Sequence, residues 1–147
     1  MVLLLMVLMV AVGALVPIQA GINTEFRRHA GHPLLAGLAN FTVGWVAIFA
    51  VLLALRIPWP TVARLQQIPS WAWLGGLCGA SLVVSAVVAA SKLGATLLMA
   101  ALLAGQLTSS VVVDHFGWVG YTPRPVSFGR IAGVCLLVLG VVLIHRD

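Results

Sequence analysis

Apolar residues fill five long stretches of this 147-residue chain, and short polar segments separate them. The stretches cover Val2–Gly21, Pro33–Leu55, Trp71–Ala90, Gly94–Val113 and Gly129–Ile144. A helix needs about 20 mostly apolar residues to cross the hydrocarbon core of a membrane. The first four stretches have that length, and the fifth reaches it only with Gly129 and a snorkelling Arg130. The pattern predicts an all-α integral membrane protein, with five transmembrane helices in a single domain over residues 1–147.

Composition supports this prediction and excludes several other classes of protein. Hydrophobic residues make up 62% of the chain and charged residues 7%, whereas a soluble domain carries about 25% charged residues. The net charge of +5 does not indicate nucleic-acid binding, because the charges lie at helix ends, where they anchor the helices at lipid headgroups. Cys78 and Cys135 lie in apolar stretches without metal-ligand spacing, and we expect neither a metal nor a cofactor.

Positive charges are distributed evenly over the two sides of the membrane that the five helices imply. One side receives Arg56, Arg64, Arg124 and Arg130, and the other receives Arg27, Arg28, Lys92 and Arg146. Asymmetry of Lys and Arg across short loops orients a membrane protein during insertion. Because this chain has no asymmetry, we expect two copies of opposite orientation, packed as an antiparallel dimer. Membrane lipid and a second copy, or a homologous half in its place, are the expected partners.

Three features mark where the helices bend or end. Pro17 removes a backbone hydrogen bond and is expected to weaken the first helix one turn before it. The segment Ala30-Gly31-His32-Pro33 is expected to separate the first helix from the second, with Pro33 in the first helical turn. Only Ser91-Lys92-Leu93 separates the third stretch from the fourth, which predicts a tight antiparallel helical hairpin.

Amides, hydroxyls and one tryptophan inside the stretches are the candidate substrate-binding groups. They are Gln19, Asn23, Asn40, Trp45, Ser81, Ser85, Gln106, Ser109 and Ser110. Gln19 and Asn23 share a helix face, which suits either hydrogen bonding between helices or the lining of a pathway. Trp45 near mid-membrane suits a packing role slightly better than a pocket wall. For Ser81 and Ser85, bonding back to their own helix is the more common role.

Acidic residues are the candidates for coupling or gating. Asp114 lies on one helix stripe with Gln106 and Ser110, and such a stripe must face protein or water. Helix stability does not explain a carboxylate near a helix C-terminus. An ion pair with Arg130 or Arg56 and a role as a cation or proton site are the two explanations. Glu25 lies at the end of the first helix beside two arginines.

Small residues mark expected helix contacts. The third stretch contains Gly75-x-x-x-Gly79. The fifth contains Gly129, Gly133 and Gly140 on one ridge, with no polar side chain between Ile131 and Ile144. Such ridges allow helix backbones to approach closely. We therefore expect the fifth helix to form the dimer contact or a scaffold and not a wall of the pathway.

Several motifs together resemble the YdcZ-type family. They are Pro17-Ile-Gln-Ala-Gly-Ile-Asn23, Asn40-Phe-Thr-Val-Gly44, Gly105-Gln-Leu-Thr-Ser-Ser110, Asp114-His-Phe-Gly117 and Arg130-Ile-Ala-Gly133. That family is a domain-of-unknown-function family of bacterial inner-membrane proteins in the drug/metabolite transporter superfamily. Larger members of the superfamily resemble two five-helix halves in tandem, the second inverted. The resemblance implies a multi-pass protein of the inner (plasma) membrane that is half of a ten-helix inverted-repeat transporter.

The resemblance does not extend to the mechanism of the small multidrug-resistance exporters. Those distant relatives carry a glutamate in the middle of the first helix, and the segment Val2–Thr24 contains no acid. Our first hypothesis is a secondary transporter of a small polar or zwitterionic metabolite, working by alternating access with its site near the midplane of the dimer. The alternatives are a passive ion or solute channel and a non-transporting scaffold subunit. An enzyme is not expected, because no catalytic constellation lies at membrane depth.

Overall fold

The structure is a computed structural model that describes residues 1–146, and those residues form helices and connecting loops. The helices are α1 (Val2–Gly13), α2 (Leu15–Ala30), α3 (Pro33–Ala54), α4 (Val62–Gln66), α5 (Gly75–Phe116) and α6 (Phe128–Arg146). Short 3-10 turns precede and follow α5, at Ser70–Leu74 and Trp118–Gly120. The prediction of an all-α protein is confirmed for the described residues. Four helical segments among them are long and apolar enough to cross a membrane.

Helices α1 and α2 form one of these segments, Val2–Ala30, which is nearly continuous. Its irregularity lies at Ala14, between Gly13 and Leu15. Pro17 lies one turn further along and cannot donate to the carbonyl at Gly13, so the weak point is where the sequence predicts it. The helix continues past the predicted end at Gly21 as far as Ala30. Polar side chains in this extension do not interrupt a helix whose backbone hydrogen bonds are internal.

The connection between α2 and α3 has the predicted break. Gly31 adopts a left-handed conformation with φ of 82°, which ends α2. The His32 side chain accepts a hydrogen bond from the backbone N–H of Leu34, and Pro33 occupies the first turn of α3. A left-handed glycine after one helix and a proline at the start of the next are preferred because neither strains the backbone there.

The third and fourth predicted stretches meet differently from the prediction. Ser91-Lys92-Leu93 is helical, and the only non-helical residue inside α5 is Gly94, with φ of 70° and ψ of 171°. The segment Ser70–Phe116 has 47 residues, which as one straight helix would be roughly 70 Å long, over twice the thickness of a hydrocarbon core. The break at Gly94 divides it into two lengths that each suit one crossing. The prediction that Ser91-Lys92-Leu93 is a non-helical linker is therefore wrong. The antiparallel packing of the two parts of α5 stays a prediction.

The chain divides into two compact units close to this break, Met1–Ser91 and the part that begins at Lys92. Buried apolar residues of the first unit are Ala20, Ala36 and Val87, which lie on α2, α3 and α5. Most large apolar side chains are exposed in both units. In a membrane, lipid or a second protein surface covers such side chains.

Candidate functional site

The two amides predicted on α2 meet the amide predicted on α3. Gln19 Nε2 donates to Asn40 Oδ1 over 3.0 Å, and Asn23 Nδ2 donates to the same oxygen over 3.4 Å. Asn23 is buried, whereas Gln19 is exposed. The hydrogen bonding between helices that the sequence allowed is therefore present. One oxygen receives both donors, so the Gln19 carbonyl and the Asn40 amide nitrogen keep capacity for a further partner.

Helix α3, which carries Asn40 of this amide cluster (Gln19, Asn23 and Asn40), approaches the first part of α5 closely. A Cβ atom added to Gly37 would lie 2.9 Å from Cγ2 of Val84. A Cβ on Gly79 would lie 3.5 Å from the ring of Phe41. Because glycine has no side chain, the two backbones approach closely at these positions. Of the predicted Gly75-x-x-x-Gly79 ridge, only Gly79 faces such a neighbour.

Arg27 is a residue of this unit that the sequence analysis counted only as a positive charge. Its half-buried guanidinium donates from Nη1 to the Val87 carbonyl over 3.1 Å and to Ser91 Oγ over 3.4 Å. Both acceptors lie near the end of the first part of α5, before the break at Gly94. A cation is favourable there because helix dipoles leave partial negative charge at a C-terminus. The signal in the sequence that could have pointed to this role of Arg27 is Gly94, because the carbonyls before a helix break need donors from outside the helix.

Trp45, Ser81 and Ser85 lie outside the amide cluster's hydrogen bonds. The Trp45 ring stacks on Phe49 at 5.2 Å between ring centroids, and its side chain is 63% exposed. The choice between a packing role and a pocket wall stays a prediction. Ser81 and Ser85 are exposed, and neither hydroxyl is hydrogen-bonded within the part of the chain that the structure describes.

The polar stripe of α5 lies in the second unit and is exposed. Ser109 Oγ donates to the Gln106 carbonyl over 3.1 Å, and Ser110 Oγ donates to the Leu107 carbonyl over 2.9 Å. Each serine hydroxyl thereby uses its proton but keeps acceptor capacity. The amide of Gln106 is exposed as well. An exposed stripe of this kind in lipid requires a polar or protein neighbour.

The two predicted acidic candidates are both paired. Asp114 Oδ2 lies 3.5 Å from Arg130 Nη1, and both side chains are about 30% exposed, at 29% and 31%. Of the two ion-pair partners proposed from the sequence, Arg130 is therefore the correct one. Glu25 accepts from Arg28 and lies 3.0 Å from His29 Nε2, all on the exposed face at the end of α2. These contacts leave Glu25 an end-of-helix surface residue.

The predicted dimer ridge has open space in front of it. A Cβ added at Gly129, Gly133 or Gly140 would meet no atom within 4 Å. Gly129 and Gly133 also line a cleft of about 600 Å³ together with Ser110, Asp114 and Arg130. The ridge that the sequence assigned to dimer contact and the stripe that it assigned to the pathway therefore border the same cleft. Sequence spacing along separate helices could not show this.

Comparison with known proteins places these features in a family. The family described as "Putative inner membrane exporter, YdcZ" matches residues 4–143, nearly the entire chain. The chain belongs to the YdcZ family. Inner membrane protein YdcZ of Escherichia coli (strain K12) is 27% identical over 139 residues, which cover 94% of this chain and 92% of that protein. No solved structure matches the chain.

Membership of the YdcZ family, together with the apolar helices, identifies a multi-pass protein of the inner membrane. The family's description is that of an exporter, which indicates a transport role and is not an enzyme class. All the site candidates described above lie within the matched residues. No group of His, Cys, Asp and Glu suited to a metal ion occurs among residues 1–146.

Proposed function

We propose that this protein is a secondary transporter that moves a small polar or zwitterionic metabolite across the inner membrane by alternating access. The observation that carries the proposal is exposed hydrogen-bonding capacity on helices that are otherwise apolar. The amide cluster on α2 and α3 keeps free capacity, and the α5 stripe presents Gln106, Ser109 and Ser110. Polar groups facing lipid are costly, so residues of this kind in transporters line water-filled pathways.

A second copy in the opposite orientation is the proposed neighbour of these polar surfaces. Lys and Arg are equally numerous on the two predicted sides, so neither orientation is favoured during insertion. Two antiparallel copies would produce the inverted repeat on which many secondary transporters are built, with a substrate site at the repeat interface. Open space before Gly140, which lies outside the cleft between α5 and α6, allows close approach of another helix.

Substrate chemistry follows from the groups that would line the pathway. Amides and hydroxyls both donate and accept hydrogen bonds, and the described residues 2–24 of the first helical segment supply no acid. A bare lipophilic cation would find no carboxylate there. A metabolite with polar groups of its own suits such a lining better.

The experiment replaces stripe residues and measures flux in liposomes with a panel of metabolites. Gln106→Leu and Ser110→Val should leave the dimer folded, because apolar side chains suit a membrane interior. They should reduce transport by about 5- to 150-fold, since an unpaired buried polar group costs about 1–3 kcal/mol. Thr108→Val is the matched control, because Thr108 lies on the other side of α5 and bonds back to the Ala104 carbonyl.

Three results would contradict the proposal in different ways. Normal transport by Gln106→Leu with a weakened dimer would make the stripe structural. Flux that rises linearly with solute concentration, without saturation or exchange, would indicate a channel. No flux of any metabolite in the panel would favour a scaffold subunit.

A further inference from the structure

A charged pair forms part of the wall of the cleft in the second unit. The cleft of about 600 Å³ lies between the end of α5 and the start of α6, and it contains both Asp114 and Arg130. Their closest atoms are 3.5 Å apart, beyond the usual range of about 2.7–3.2 Å for an N–H···O hydrogen bond. The two opposite charges thus form a partly exposed ion pair at the cleft without a short hydrogen bond between them.

The loop after α5 holds both charges in position. The backbone N–H of Arg124 donates to the Asp114 carbonyl over 2.6 Å, and Nη1 of Arg130 donates to the Arg124 carbonyl over 3.4 Å. Pro123 packs against Gly117, where an added Cβ would lie 2.6 Å from the proline ring. Within residues 1–146 the other nitrogens of the Arg130 guanidinium have no hydrogen-bond partner. They are free to bind a carboxylate in the two-pronged geometry that guanidinium favours.

The rest of the cleft is apolar and has room. Leu107, Val111, Val134 and Leu137 supply hydrocarbon walls. Gly129 and Gly133 contribute no side chain, and the space before them is open. A pocket of about 300–1,000 Å³ with mostly apolar walls and a few charged groups is the usual form of a small-molecule site.

We propose that this cleft binds an α-amino acid with an apolar side chain. Arg130 would hold the carboxylate, Asp114 the ammonium group and the hydrocarbon walls the side chain. Such a ligand carries no net charge, so it can replace the Asp114–Arg130 contact without leaving either protein charge unpaired, which is costly away from water. A simple anion or cation would leave one of the two uncompensated.

Because the charges of Asp114 and Arg130 are close together, the positive and negative charges of the ligand must be close together as well. Charges 3.5 Å apart complement an ammonium and a carboxylate attached to the same carbon atom. An amino acid with its charges at opposite ends of a flexible chain must fold back to pair with both, at a cost in conformational entropy. This inference rests on the proposed transport function and narrows its substrate to one chemical class.

The test is equilibrium binding of labelled L-leucine and L-phenylalanine to the purified full-length protein in detergent. We expect saturable binding of at least one of them. Leucinamide, N-acetylleucine and aminocaproate should compete at least about tenfold less well than leucine, because each lacks one charge or separates the two. Aminocaproate is an isomer of leucine, so size and composition are matched.

Variants then locate the binding in the cleft. Asp114→Asn and Arg130→Gln should each weaken leucine binding about 10- to 100-fold, the range expected for a hydrogen bond to a charged group. Because these changes could also disturb the loop, Leu107→Trp is included to fill the cleft while keeping both charges. Val112→Trp is its control: Val112 lies on the same helix outside the cleft, and the two side chains are 44% and 42% exposed. Leu107→Trp should abolish binding, and Val112→Trp should retain it.

Each contrary result overturns the inference. It is wrong if neither amino acid binds, if the single-charge analogues compete as well as leucine, or if Asp114→Asn and Leu107→Trp bind normally. Saturable flux of another metabolite in the liposome panel, without amino-acid binding, would remove this site and leave the proposed transporter intact. Absence of both binding and flux would remove both proposals.

Discussion

A single glycine divides the long helix α5. Gly94 has φ of 70° and ψ of 171°, a combination that essentially only glycine adopts without strain. Gly94→Ala should lower the free energy of unfolding by about 1–3 kcal/mol, although the added Cβ meets no atom within 4 Å. Thermal and denaturant unfolding of the purified protein in mild detergent measure the change.

Gly105→Ala is the control for Gly94→Ala. Gly105 lies in a regular part of α5 with equally open space, so alanine should be neutral or stabilising by up to about 1 kcal/mol. Equal effects at the two positions would show that backbone conformation at Gly94 does not decide stability.

Arg27 ties the end of α2 to α5. Its hydrogen bonds reach the Val87 carbonyl and Ser91 Oγ, and bonds to a charged group contribute about 1.5–3 kcal/mol. Arg27→Gln should therefore lower the midpoint of thermal unfolding clearly, by an amount equivalent to about 1–2 kcal/mol given the half-exposed setting. Arg27→Lys should restore part of the loss.

Arg28→Gln is matched to this change, because it removes one positive charge from the same side of the membrane. Arg28 pairs with Glu25 on the surface, with its side chain 73% exposed, and such pairs contribute about 0–1 kcal/mol. A loss at Arg28 as large as that at Arg27 would assign the effect to net charge and not to the contact with α5.

At the scale of helices, the approach of α3 to α5 depends on Gly37. A Cβ there would lie 2.9 Å from Val84, whose branched side chain has little rotamer freedom in a helix. Gly37→Ala should destabilise the protein by about 1–3 kcal/mol through overpacking. Adding Val84→Ala should recover most of that loss, and unfolding of the single and double variants measures the coupling.

Gly44→Ala isolates the backbone contribution to this effect. Gly44 lies on the same helix and has no atom within 4 Å of an added Cβ, so only the gain in helix propensity of up to about 1 kcal/mol applies. If Gly37→Ala behaves like Gly44→Ala, the two helices are not in close contact at this point.

At the scale of the entire molecule, the balance of charges predicts two orientations. This prediction requires the chain to reverse direction at Gly94, because only then would the number of crossings be odd and the two termini lie on opposite sides. Reporter tags on one terminus should therefore appear on both faces of the membrane. Two or three lysines added beside Arg64 should favour a single orientation and abolish transport unless an oppositely biased variant is co-expressed.

Two results would contradict this prediction of dual orientation. A wild-type protein with one fixed orientation and full activity excludes the antiparallel homodimer. Termini found on the same face would show that Ser70–Phe116 does not reverse at Gly94.

Hydrophobic pattern alone determined the class of this protein, the apolar stretches and most helix ends. Long apolar runs allow only helices that satisfy their own backbone in lipid, and Pro17, Gly31 and Pro33 act locally through their restricted or permissive backbones. The motifs also placed the chain in its family, because they are local runs of residues.

Only the tertiary structure decided which polar residues meet. These contacts join residues that are distant in sequence. Asn40 accepts hydrogen bonds from both Gln19 and Asn23. Asp114 pairs with Arg130 rather than Arg56, and Arg27 donates to the Val87 carbonyl. Helical spacing gives the face on which a side chain lies but not the neighbouring helix that the face meets. The position of the α5 break was likewise misplaced. The polar residues Ser91 and Lys92 suggested a linker, yet Ser91-Lys92-Leu93 remains helical, and the break lies at Gly94, which adopts a conformation that other residues rarely tolerate.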